Sequence, residues 1–139
     1  MFPIPLLLLV SQPTDGLPPQ VRELLSKPFT EITKVDQLPG AVGSLLPNRS
    51  GLSNPGGPFN EGCVGSGPFA RMIFAGSSAQ LFLVGYETGG RSYHRDLVVY
   101  KLERGKARQI MSAPLPEGCS TLQAALKGIQ NGSIRIRKS

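Results

Sequence analysis

The sequence predicts an α+β fold, an antiparallel β-meander of about four strands packed with short helices, to which the C-terminal tail can add a fifth, edge strand. Three observations carry this expectation. Gln80–Leu102, QLFLVGYETGGRSYHRDLVVYKL, sets two apolar runs rich in β-branched and aromatic residues on either side of a polar double-glycine segment, which is the pattern of an antiparallel hairpin. Shorter apolar runs flank it, Phe69–Ala75 before and Ala107–Met111 after, the second entered through a tight Arg104-Gly105 turn. Helical spacing of apolar residues occurs only outside this block.

From the N-terminus, the apolar run Ile4–Val10 is far too short to cross a bilayer, which takes ~20 residues. Residues 1–16 therefore read either as the remnant of an export signal, without a basic leader or a small-x-small cleavage pattern near Ser11, or as an apolar arm or first strand. Pro3 and Pro5 push such a strand to a sheet edge, because proline donates no ladder hydrogen bond. Residues 17–139 read as a single domain, the size a chain of 139 residues most simply makes.

Pro18-Pro19 open a helix through Val21, Leu24 and Leu25 that Pro28 ends. Phe29, Ile32, Val35 and Leu38 continue a spacing of three and extend the helical reading to Pro39-Gly40, and Ala41–Leu46 fits one more turn. Residues 47–68, PNRSGLSNPGGPFNEGCVGSGP, hold 10 of the glycines and prolines and no periodicity, so they form a loop. A loop this long inside a compact domain tends to be functional. Gly76-Ser77-Ser78 turns the first long strand into the hairpin. Within the hairpin, Phe82, Val84 and Tyr86 share one face and Leu81 and Leu83 the other, so both faces need cover. Ser120 caps a late helix with Leu122, Ala125 and Leu126 on one face and Gly128 as its stop. The tail Ser133–Arg137 alternates strictly, with its charges outward.

Charge is uneven. The net +6 arises entirely from residues 61–139, because Lys/Arg and Asp/Glu balance over residues 1–60. A basic surface attracts phosphates, anionic lipid or an acidic protein, and it also serves solubility alone. Cys63 and Cys119 bracket the β-rich body in the same context, Glu-Gly-Cys, and an even count in a small chain makes them a disulfide candidate. Such a bond would place the protein in an oxidising compartment, and unpaired thiols would fit the cytosol.

The candidate site lies around the hairpin loop: Glu87, Arg91, Tyr93, His94, Arg95 and Asp96. The single His with a nearby carboxylate, Glu87 or Asp96, is the composition of general acid–base chemistry, yet no GxSxG, HExxH, CxxC or phosphate-loop motif accompanies it. Gly89-Gly90 reads as turn geometry, since no helix pattern follows. One His and two distant Cys do not match metal-ligand spacing, so neither metal nor cofactor is expected. A basic sheet face (Arg91, Arg95, Lys101, Arg104, Lys106, Arg108) beside Tyr86, Tyr93 and Tyr100 has the ingredients of a nucleic-acid-binding module, although no RNP-type motif is present.

Phe74-Ala75-Gly76, Tyr86-Glu87-x-Gly89-Gly90, His94 and Val98-Val99-Tyr100 together resemble a pattern in small bacterial proteins of uncharacterised function, many apparently exported. The resemblance spans about residues 69–102 and implies an α+β fold and a periplasmic or secreted location, with no catalytic residues to carry over. The expected function is a non-enzymatic envelope protein that binds a protein or anionic envelope component through the 87–96 and 47–68 loops. The alternatives are a hydrolase-like enzyme using His94 with a nearby carboxylate and a basic nucleic-acid-binding module, either of which also fits the cytoplasm.

Overall fold

The computed structural model describes residues 7–8, 18–47, 51–62 and 64–139. Its elements are β1 (Leu7–Leu8), α1 (Pro19–Leu25), β2 (Phe29–Ile32), a 3₁₀ turn (Val35–Gln37), α2 (Gly40–Gly43), β3 (Leu52–Ser53), β4 (Ala70–Ser78), β5 (Leu81–Thr88), β6 (His94–Glu103), β7 (Lys106–Pro114), α3 (Leu122–Asn131) and β8 (Arg137–Lys138). One sheet runs β1-β2-β4-β5-β6-β7-β8, antiparallel throughout, with the two-residue β3 lying parallel to β4. The fold is α+β with the four-stranded meander β4–β7 at its centre, as the sequence predicts. The sheet is wider than expected, because β2 and the two-residue strands β1, β3 and β8 extend it.

Strand alternation divides the core into two layers. Leu83, Leu97, Val99, Met111 and Ala113 face α1 and α3. Phe82, Val84, Val98 and Tyr100 face the α2 side, against Val42, Leu38 and Leu46. A bulge between Met72 and Phe74 shifts the alternation of β4, so that Phe74 joins the α1/α3 layer while Met72 and Ala75 stay in the other. The Phe74 ring lies against Gly85, where a Cβ would meet three of its ring atoms.

The structure corrects four local expectations. Phe29–Ile32 is a strand and not helix, paired with both β1 and β4. A spacing of three puts two residues on one face of a helix but on opposite faces of a strand; Phe29 packs in the α1/α3 layer and Ile32 in the α2 layer, so both are buried either way. Gly76-Ser77-Ser78 is not a turn: β4 continues through it to reverse at Ala79-Gln80, and Gly76 leaves room for Leu122 of α3. Helix α3 is capped by Thr121, whose side chain accepts from the Ala124 amide at 3.1 Å, and ends at Gly132 with φ +83°. Gly128 is buried inside that helix, where Ile134 occupies the space its side chain would fill. Ile134 thereby becomes core, and only Arg137–Lys138 of the tail pairs with β7.

Leu7–Leu8, inside the apolar N-terminal run, pairs with Thr30 and Phe29 at the sheet edge, the place its neighbouring prolines predict. The rest of residues 1–16 and the Asn48-Arg49-Ser50 segment lie outside the described residues. No disulfide is formed among the described residues. Cys119 is a free, half-buried thiol that packs against the α1/α3 layer, and burial raises its pKa, offset in part by Arg95; Cys63 lies outside the described residues. Among the described residues no helix is long and apolar enough to cross a membrane.

Candidate functional site

The β5–β6 hairpin pairs Tyr86 with Asp96, Glu87 with Arg95 and Thr88 with His94, which leaves residues 89–93 as its loop. Because successive strand residues point to opposite faces, this register separates the six candidate residues. Glu87 and Arg95 project on the α1/α3 face, and Tyr93 reaches back to the same side. His94 and Asp96 project on the other face with Tyr86. Arg91 stays exposed in the loop.

On the first face, Glu87 is the organising group. It is 8% exposed, one of two charged or polar residues buried among the described residues. Arg71, its register partner on β4, donates from Nε to Oε2 at 3.0 Å, and the Tyr93 hydroxyl donates to Oε1 at 2.9 Å. Arg71 also donates from Nη1 to the Gly57 carbonyl at 2.9 Å, and its guanidinium lies 4.9 Å from the centre of the Phe59 ring. Phe59 in turn meets Tyr93 edge-on, with centroids 6.1 Å apart. Two segments far apart in sequence, the Gly/Pro-rich loop and the hairpin loop, are thus fastened to one carboxylate. Gly89 completes the contact: the backbone of Asn60 and Glu61 lies where its Cβ would be, and its amide donates to Phe69 at 2.7 Å. The double glycine therefore has two jobs, close approach at Gly89 and a positive φ of +107° at Gly90.

Arg95 completes a row of Arg71, Glu87 and Arg95 across three adjacent strands. Its Nη2 donates to the Cys119 carbonyl at 2.7 Å and lies 3.5 Å from Ser120 Oγ, while its buried Nε has no partner among the described residues. Gly56, Arg71, Glu87, Tyr93, Arg95 and Ser120 line an open cleft of about 370 Å³ here. Burial, followed by the bond to Glu87, pushes the Tyr93 hydroxyl above the ordinary phenol value.

On the opposite face, His94 is exposed, with Nε2 2.7 Å from Ser92 Oγ. Asp96 is half-buried; burial raises its pKa and the neighbouring His94 lowers it by less. The structure thus brings Asp96, and not Glu87, onto the side of the imidazole. Nor does it assemble the basic aromatic face: Tyr100 is buried in the α2 layer, Tyr86 is half-buried, and Lys101 and Arg108 flank Glu103 at 3.5 and 3.7 Å.

Sequence reading missed Arg71 and Phe59. The signal for Arg71 was a single cation in the apolar run Phe69–Ala75, which a strand covered on both faces tolerates only with a partner. Nothing in the Gly/Pro-rich stretch marked Phe59 beyond its being an aromatic there. Comparison with known proteins finds no matching family model, no matching curated protein and no matching solved structure.

Proposed function

We propose that this chain is a non-enzymatic binding protein of the bacterial envelope or exterior, holding its partner with the end of the sheet where the hairpin loop meets the Gly/Pro-rich loop. The observation that carries the reading is the Glu87 clamp. By fixing Arg71, Tyr93 and, through Arg71, Gly57 and Phe59, it makes one pre-ordered surface from two loops that would otherwise lose conformational entropy on binding. Tyr93, 44% exposed and supported from behind, is the kind of aromatic that anchors an interface, and Arg91 and Arg95 give the rim a cationic character suited to an acidic partner. The location rests on the resemblance of the hairpin pattern to apparently exported bacterial proteins. It draws nothing from a disulfide.

A photo-crosslinking residue at position 91, exposed in the hairpin loop beside Tyr93, in the full chain in its native host, tests this. The expected result is one discrete adduct, absent when the same residue stands at exposed Glu117 and absent when Phe59→Ala loosens the clamp. Equal labelling from both positions, or none from position 91, overturns the reading.

The contact between Ser92 Oγ and His94 Nε2, with Asp96 on the same face, favours a second reading, a hydrolase in which His94 activates Ser92. A fluorophosphonate that labels Ser92 in the wild type but not in folded His94→Ala would establish it; no labelling would remove it.

A further inference from the structure

The face of the sheet opposite the clamp carries a larger cleft, of about 680 Å³, within the range typical of small-ligand sites. Tyr86 and Asp96 lie side by side on β5 and β6, Ser112 on β7 follows, and Arg137 on β8 is the register partner of Ser112. Arg135 precedes Arg137 by two residues and lines the same cleft. Ile134 and Ile136 pack into the α1/α3 layer, whereas Arg135 and Arg137 line the cleft on the other side.

Among the described residues no hydrogen bond or ion pair joins the charges here, although His94 on the same face favours the ionised form of Asp96. Asp96 is half-buried, yet its carboxylate takes no hydrogen bond or ion pair among the described residues, and the side chains of Arg135 and Arg137 have no such partner there either. A carboxylate partly removed from water is stabilised by a cation or a donor brought to it. A plain cation would be repelled by the two guanidiniums and a plain anion by Asp96. What complements both is a ligand with opposite charges a short distance apart. Arginine favours a carboxylate, which matches its planar fork. Beside the poles, the lining includes Val98, Pro114 and the ring of Tyr86, an apolar wall suited to an aliphatic side chain.

We propose that this cleft binds a free amino acid or a whole dipeptide in zwitterionic form, with the ammonium at Asp96 and the carboxylate at Arg135 and Arg137. The site is separate from the clamp surface and stands whether or not that surface binds a partner.

The test titrates isotopically labelled full-length protein with L-leucine and leucyl-leucine, followed by amide chemical shifts, alongside N-acetyl-leucine and leucinamide. The expected result is saturable binding with shifts at Tyr86, Ser112 and Arg137. Each blocked probe binds more weakly by about tenfold or more, as expected for the loss of one charge-assisted contact. Asp96→Asn abolishes the preference for leucine over N-acetyl-leucine and leaves the preference over leucinamide intact; Arg137→Gln does the converse. No saturation at millimolar ligand, equal binding of blocked and unblocked probes, or shifts confined to Arg71 and Tyr93 overturns the proposal. The blocked-probe comparison uses wild-type protein, so the outcome does not depend on how well either variant folds.

Discussion

The Tyr93 hydroxyl donates to Glu87 Oε1 at 2.9 Å from six residues further along the chain, bridging the hairpin loop on the side away from His94. The other oxygen of the same carboxylate holds Arg71 at 3.0 Å. A carboxylate placed between a cation and a phenol, with water largely excluded, ties loop position to side-chain chemistry. Glu87→Gln keeps the shape and removes the charge, leaving Arg71 without its counter-ion. The expected cost is about 1–3 kcal/mol, below the figure for a fully buried pair because Arg71 is partly exposed. Tyr93→Phe removes one hydrogen bond from a half-exposed group and costs about 0.5–1 kcal/mol. Urea unfolding midpoints check both, and proteolysis within residues 54–62 should quicken in each variant. Unchanged midpoints and unchanged cleavage would mean that the carboxylate does not secure the loop.

Asp96 gives a pH dependence of opposite sign to an ion-paired carboxylate. Burial raises its pKa in the folded chain above the ordinary 3.8, so the folded state binds this proton more tightly than the unfolded state. Below that ordinary value the carboxyl is neutral in both states and imposes no penalty. As pH rises from there through the elevated folded value, the unfolded chain gives up the proton first, and this residue's contribution to stability falls. Above the folded value the penalty is constant. Asp96→Asn removes it, so the variant should be more stable than wild type near neutrality, with the difference shrinking to nothing as pH falls below the ordinary carboxylate range. Chemical denaturation of both proteins across that range checks this. A variant less stable near neutrality would show that Asp96 is held by a favourable partner.

Much of the fold was legible because its signals are local. The alternation of Phe82, Val84 and Tyr86 against Leu81 and Leu83 is reproduced in the two core layers, and Arg104-Gly105 makes its turn with positive φ at both residues. The errors arose where a local pattern has two tertiary solutions. Apolar residues three apart satisfy one helix face, but in a sheet covered on both sides they satisfy two layers, which is why Phe29–Ile32 read as helix. Gly76 and Gly128 looked like chain punctuation and are packing sites, each emptied for one side chain, Leu122 or Ile134.

The candidate site suffered the same ambiguity. Glu87, Arg95, His94 and Asp96 are neighbours in the sequence, but the pleat sends the first two to one side and the last two to the other. Sequence proximity in a hairpin overstates spatial proximity by grouping both faces. Arg71 and Phe59 escaped notice for the converse reason. They meet Glu87 and Tyr93 only through the β4–β5 register and the path of the Gly/Pro-rich loop, neither of which a linear pattern encodes.

Two glycines of the hairpin separate core packing from loop docking. An alanine at position 85 would drive its Cβ into the Phe74 ring, which the bulge in β4 holds in the α1/α3 layer. The ring is enclosed and cannot swing clear, so Gly85→Ala should destabilise the fold by about 1–3 kcal/mol, the usual range for overpacking. An alanine at position 89 meets the backbone of Asn60 and Glu61 instead, and backbone gives less readily than a side-chain tip. The loop must lift away while the core beneath stays as it was. Gly89→Ala should therefore leave the unfolding midpoint within about 1 kcal/mol of wild type. Its amide spectrum should nevertheless shift at Phe59, Asn60, Glu61 and Tyr93 and at few residues of β6 or β7, and crosslinking from position 91 should fade. If Gly89→Ala instead lowers the midpoint as far as Gly85→Ala does, the Gly/Pro-rich loop belongs to the stabilising core and is not a separable docking surface.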